Sequence, residues 1–185
     1  MNASARHHRR NAILFALATF VGRMDDAKAT DTLLKAPNVV PISSELVTSG
    51  QPTREALAQL TALGFVAVIY LAPMTVPDAI RDEAAIVQRQ GIEFVNIPIP
   101  FGKPTAADFE SFVTAMNRLA GRKTLVHCQV NMRASSMTFL YRVIVGHEQP
   151  EKAYESVAKG WSPDGPWKTL LVAQLRQAGI AFEPY

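Results

Sequence analysis

The run Phe65-Val66-Ala67-Val68-Ile69-Tyr70-Leu71 constrains the fold more than any other stretch of the chain. It is apolar and rich in β-branched residues, with no polar alternation, the pattern of a strand covered on both faces. Such strands belong to parallel sheets sandwiched between helices, and the flanking sequence agrees. Glu45–Gly50 reads as a short strand ending in a turn. Gln51-Pro52-Thr53 opens a helix through Leu63 that stops at Gly64, and Pro77–Gln90 reads as a helix stopping at Gly91. Glu93–Ile99 is a further strand, Thr105–Leu119 a helix, Lys123–His127 a strand and Ala134–Val145 a long apolar helix. Two more helical segments follow, separated by Gly160–Trp167. This order predicts an α/β fold, with a central, mainly parallel sheet of four to five strands flanked by helices. In such sheets ligands collect where strands end and the next helices begin.

With 185 residues, the expected organisation is one domain over residues 30–185, preceded by a leader over 1–29. Charge supports that division. The leader holds Arg6, Arg9, Arg10, Arg23 and Lys28 against Asp25 and Asp26, a surplus equal to the net charge of +3 for the whole chain. The body is therefore neutral, and no nucleic-acid partner is expected. The leader combines a basic start, an apolar run from Ala12 to Gly22 and Ala27-Lys28-Ala29, features of a cleavable export signal. The run is too short for a stable membrane span. A cleaved leader would place the protein in the periplasm or outside the cell, and a retained one in the cytoplasm as a flexible extension. No metal or cofactor is expected: His7 and His8 lie in the leader, His147 stands alone, and no zinc, dinucleotide or Walker spacing occurs.

The chemistry concentrates in Leu125–Ser136, LVHCQVNMRASS, which contains the single cysteine. Cys128 follows the last strand and precedes the long helix. A helix start offers unpaired N–H groups and a partial positive charge, and a loop before it can aim successive N–H groups at one anion. The same field favours a thiolate on Cys128. Arg133 can clamp a tetrahedral oxyanion with two prongs. Asn131 is the loop residue best suited to a left-handed backbone. Ser135 could donate its hydroxyl to a departing thiolate. Taken singly, a cysteine is most often a small buried apolar residue and an arginine at a helix start is usually solvated. Combined in this strand–loop–helix setting, they point to an anion site with a nucleophile.

This stretch resembles the signature of the cysteine-dependent protein phosphatases of the dual-specificity group. The resemblance extends over Glu45–Tyr185, through VTSGQPTREALAQLTALGFVAVIYL and WSPDGPW, and suggests a bacterial subgroup. It implies a dual-specificity-phosphatase-like fold and a cysteinyl-phosphate formed on Cys128, with a phosphorylated protein or small molecule as substrate. It further implies phosphate binding by the N–H groups of Gln129, Val130, Asn131 and Met132 and by Arg133. His127 would help set the thiolate, and Ser135 would assist its departure.

Two departures from the family pattern stand out. Four residues separate Cys128 from Arg133, where the family has five, while Asn131 and Ser135 keep the register of the family's glycine and hydroxyl. An arginine displaced by one place weakens phosphate orientation and predicts low turnover. The family's acid loop, here Ile99–Thr105, carries no carboxylate. Asp108 reads as part of a helix cap. Asp164 reads either as a β-turn residue or as a general acid approaching from the far side. Two other activities fit parts of the pattern: a non-catalytic phosphate- or partner-binding module, and a rhodanese-like sulfurtransferase, whose loop length matches this one.

Overall fold

The computed structural model describes residues 34–185; the leader and its two histidines lie outside the described residues. Five strands form one sheet: β1 (Val40–Pro41), β2 (Leu46–Ser49), β3 (Ala67–Tyr70), β4 (Glu93–Asn96) and β5 (Thr124–His127). Their spatial order is β1-β2-β5-β3-β4. Only β1 runs antiparallel, paired with β2, and the other neighbours are parallel. The last strand in sequence is thus the middle one in space, with Ser49 on one side of His127 and Tyr70 on the other.

Helices cover both faces. On one face lie α1 (Arg54–Leu57) and α2 (Glu83–Gln88), over an apolar cluster that includes Val47, Leu57, Leu60, Val68, Ile86 and Leu125. On the other lie α3 (Ala106–Arg118), α4 (Met132–Ile144), α5 (Pro150–Ala158) and α6 (Gly165–Gln177). The larger cluster there gathers Ile69, Phe112, Val126, Phe139, Tyr154 and Trp167. Alternate residues of each strand supply the two clusters, which is why Phe65–Leu71 has no polar positions. Helix α4 is buried almost all round, and even its Ser136 and Thr138 are fully covered. No helix among the described residues is long and apolar enough to cross a membrane.

Two expected helices are shorter than their sequence pattern. The one opening after Thr53 ends at Leu57 because Gln90 inserts its carboxamide into the next turn. Gln90 Nε2 donates to Leu57 O at 2.7 Å, and Gln90 Oε1 accepts from Thr61 N at 3.2 Å. These are the two groups a continuing helix would pair with each other. In the Pro77–Gln90 segment only Glu83–Gln88 is helical. Asp82, at its N-cap position, caps nothing and instead pairs with Arg54. The segment Ser162–Gly165 forms no β-turn; Asp164 is extended and precedes α6.

The start of α3 is a capping box: Thr105 Oγ1 accepts from Asp108 N, and Asp108 Oδ2 accepts from Thr105 N at 2.8 Å. Asp108 is thereby committed to structure. Replacing Thr105 with alanine should lower the unfolding free energy by about 1 kcal/mol, read by urea denaturation. An unchanged midpoint would contradict the capping role.

Candidate active site

Cys128 lies just past the end of the central strand, fully buried, with its N–H on Ser49 O at 3.2 Å. The chain then turns through Gln129, Val130 and Asn131 into α4. Three attachments fix this turn from outside. Gln129 O accepts from Gln51 N at 3.0 Å, Val130 O accepts from Asn38 Nδ2 at 3.0 Å, and Asn131 Nδ2 donates to Asn38 O at 2.7 Å and Thr48 Oγ1 at 3.1 Å. Gly50 makes the approach possible. A Cβ there would meet Gln129 O at 2.7 Å and the Pro37 Cβ at 2.9 Å, inside contact distance on both sides.

With its carbonyls tied outward, the loop turns its amides the other way. Among the described residues, the N–H groups of Gln129, Val130, Met132 and Arg133 find no acceptor. Asn131 precedes α4 with φ 73°, in the left-handed region, and makes no side-chain cap. The positive end of α4 is therefore left to whatever anion the loop holds.

Arg133, in the first turn of α4, is buried to 3% exposure. Its Nε donates to Ile99 O at 3.0 Å, its Nη1 donates to Gln129 Oε1 at 3.2 Å, and its guanidinium lies 5.0 Å from the centre of the Phe101 ring. The loop after β4, which carries no carboxylate, thus supports the arginine from beneath. Trp167 Nε1 donates to Phe101 O at 2.9 Å, and the Trp161 ring packs on Phe101 at 6.0 Å. The two tryptophans pin Gly160–Trp167 to the loop after β4, which braces Arg133. Ser135 is buried, with its Oγ donating to Met132 O at 3.2 Å.

Asp164 is exposed, and its carboxylate makes no hydrogen bond or ion pair among the described residues. The carboxylate joined to the loop is another one: Asp78, after β3, accepts from Gln129 Nε2 at 2.6 Å. The Gln129 amide therefore links Asp78 to Arg133. A second carboxylate lies behind the loop. Glu83 and His127 are both fully buried, with Glu83 Oε1 and His127 Nε2 2.6 Å apart, and Glu83 Oε2 accepts from Gln51 Nε2 at 2.8 Å. The His127 ring stacks on Tyr70, with centres 4.8 Å apart. Burial, and then the charges of Glu83, Asp78 and Cys128, push the Tyr70 phenol well above its ordinary range, with Arg133 opposing; it stays protonated. Sequence reasoning missed Asp78 and Glu83, which reach Gln129 and His127 from 51 and 44 residues away, and Gln51, which holds Gln129 O from further still. Among the described residues, no three His, Cys, Asp or Glu side chains group as a metal site.

Residues 34–164 match the family model described as DSP-PTPase phosphatase fused to NAD+ kinase. The chain belongs to this phosphatase family. Among solved structures, the fold is similar to the DUF442 protein of Shewanella putrefaciens CN-32, with TM-score 0.73 and 27% identity over 81% of this chain and 97% of that one. It is also similar to the core catalytic domain of the PP-IP phosphatase SIW14 from S. cerevisiae, with TM-score 0.62 and 14% identity over 78% and 87%. PTPMT1 in complex with PI(5)P gives TM-score 0.62 and 17% identity over 76% and 96%. At the identities of the last two, the likeness shows the fold alone. No curated protein matches in sequence. Family membership and the sheet order agree with a dual-specificity-type fold, in which the middle strand delivers the cysteine.

The geometry makes Asn131 the hinge of the loop. Asn131→Ala should cost roughly 2–4 kcal/mol, combining a left-handed backbone with two lost hydrogen bonds. Asn131→Gly, free of the backbone cost, should be milder by about 1 kcal/mol. Equal effects in chemical denaturation would contradict a left-handed requirement at this position.

Proposed function

We propose that the protein is a cysteine-dependent phosphatase that hydrolyses phosphomonoesters through a cysteinyl-phosphate on Cys128. The observation that carries this reading is the set of unpaired loop amides at the uncapped start of α4, with Cys128 at one end and Arg133 at the other. Three equatorial phosphoryl oxygens can be held by the unpaired N–H groups of Gln129, Val130, Met132 and Arg133 and by the guanidinium. The Cys128 sulfur attacks phosphorus, and the ester P–O bond breaks with its electron pair on the leaving oxygen. That oxygen needs a proton. Asp78, tied to the loop through Gln129, is the carboxylate we assign to supply it, with Asp164 as the alternative. Water then attacks the phosphorus with its proton passing to the same carboxylate, and Ser135 stabilises the departing thiolate.

The rim favours an aromatic or apolar ester. Phe101 and Val130 are 41% and 42% exposed, on the segments that bear on Arg133. Aryl phosphates, including phosphotyrosine-like groups, have good leaving groups and suit a site of low turnover. A periplasmic or extracellular location remains part of the proposal only if residues 1–29 are cleaved.

One observation favours binding without turnover. Arg133 already spends Nε on Ile99 O and Nη1 on Gln129 Oε1, so its fork is not held free for a phosphate. Purified protein should hydrolyse an aryl phosphate at mildly acidic pH, and Cys128→Ser should abolish the activity. Background rates in both proteins, with tungstate binding that is lost in Arg133→Ala, would instead establish a binding module. Sulfur transfer from thiosulfate to cyanide, with no phosphate release, would establish the sulfurtransferase chemistry.

The acid assignment has its own signature. Asp78→Asn should slow alkyl phosphate hydrolysis by about 100-fold and aryl phosphate hydrolysis much less. Asp164→Asn should change neither; the reverse pattern would move the acid to Asp164.

A further inference from the structure

Gln129 makes two side-chain hydrogen bonds, to groups of opposite charge. Its Nε2 donates to Asp78 Oδ1 at 2.6 Å, and its Oε1 accepts from Arg133 Nη1 at 3.2 Å. A primary amide can face a carboxylate and a guanidinium at once, because it offers a donor at one end and an acceptor at the other. Among the described residues, Asp78 and Arg133 form no direct ion pair. The Gln129 amide is what joins them.

Neither the loop nor the arginine needs this carboxamide to keep its place. The Gln129 main chain is held separately, through its carbonyl on Gln51 N at 3.0 Å. Arg133 is positioned by Nε on Ile99 O at 3.0 Å and by the Phe101 ring under its guanidinium. What the carboxamide does is fill one prong of the fork. Arginine grips a phosphate best with two parallel N–H groups. With Nε committed to Ile99 O, that grip falls to Nη1 and Nη2, and Gln129 Oε1 stands on Nη1. The Gln129 side chain is half-buried and Asp78 is exposed, so a swing of the amide disturbs no core packing.

We propose that Gln129 is a latch on the anion site: its carboxamide occupies the Nη1 prong of Arg133, and a phosphoryl oxygen takes that prong by displacing it. The same amide carries Nε2, so the swing that releases Arg133 also draws Nε2 off Asp78. One movement therefore gives the oxyanion its second prong and leaves Asp78 to face the leaving oxygen. The carboxamide returns to Arg133 as phosphate leaves, so Gln129 competes with product as well as with substrate. The inference rests on the proposed reading of the loop as an oxyanion site with Asp78 as its acid, yet anion affinity reads it without turnover.

The test is the dissociation constant of tungstate, measured by titration calorimetry on the full chain. Gln129→Met keeps the length of the side chain and removes the acceptor; Gln129→Ala removes both. Each variant should bind tungstate about tenfold more tightly, the size of one hydrogen bond to a charged group. A side chain that only supported the loop would give weaker binding on its removal. Unchanged or weaker affinity in Gln129→Met overturns the proposal, and a gain confined to Gln129→Ala does so too, because bulk would then be the obstacle. Asp78→Ala removes the anchor of the latch and should also tighten binding. In the double variant with Gln129→Met the gain should fall short of the product of the two single gains. Gains that multiply overturn the proposal, since Asp78 would then repel the anion directly and anchor nothing.

With an aryl phosphate, Gln129→Met should lower KM and the inhibition constant of inorganic phosphate by similar factors. Tighter tungstate binding in Gln129→Met, in a protein that releases no phosphate from an aryl ester, would reject the phosphatase reading and leave the latch standing. Hydrolysis that depends on Cys128, with tungstate affinity unmoved by Gln129→Met, would do the reverse.

Discussion

The direction of the peptide groups between Cys128 and Arg133 is the constraint on which the rest of the site depends. Each loop carbonyl that is held outward turns an amide inward, and the holding is done by parts of the chain far apart in sequence. Asn38, near the start of the described residues, takes Val130 O and receives Asn131 Nδ2. Gln51 takes Gln129 O, across a gap that only a glycine at position 50 leaves open. The short antiparallel edge strand β1 and the residues before it belong to the same fastening. A buried amide without an acceptor is costly, so a loop of this kind is stable in a folded protein when an anion completes it.

The sheet supplies what the loop needs at its two ends. Because β5 is the middle strand, Cys128 emerges between two neighbours and is shielded from both sides. Because α4 is buried almost all round, its first turn cannot shift to follow a ligand, and Arg133 enters the site from a fixed origin. The arginine is then supported by the carbonyl of Ile99 and the ring of Phe101, and Phe101 by the two tryptophans. The short spacing between Cys128 and Arg133 is accommodated by this bracing. Its cost is an arginine partly occupied by protein acceptors.

Some of this could be read from the sequence because local rules fix it. Phe65–Leu71 announced a doubly covered strand, Thr105 and Asp108 a capping box, and the residue type at Asn131 a left-handed turn. The cysteine's place between strand and helix followed from periodicity alone. What stayed hidden depends on contacts between distant segments. Nothing near Leu57 says that Gln90 will take its carbonyl and end the helix. Nothing near Cys128 says that Asp78 will reach Gln129 or that Glu83 will be buried against His127. Glu83 in particular sits in a segment whose charged and apolar residues look like those of an ordinary surface helix. Its burial follows from the packing of α2 against the sheet, which hydrophobic spacing leaves open within that short helix.

A covalent bond to Cys128 decides whether the protein is a cysteine-dependent phosphatase. The direct measurement is rapid quenching of the protein with an aryl phosphate at mildly acidic pH, followed by mass spectrometry of the peptide that contains Cys128. The added mass of one phosphoryl group is expected on that peptide, absent in Cys128→Ser and reduced in Arg133→Ala. Phosphate released from the substrate with no phosphorylated Cys128 at any quench time, or a persulfide in its place, would contradict it.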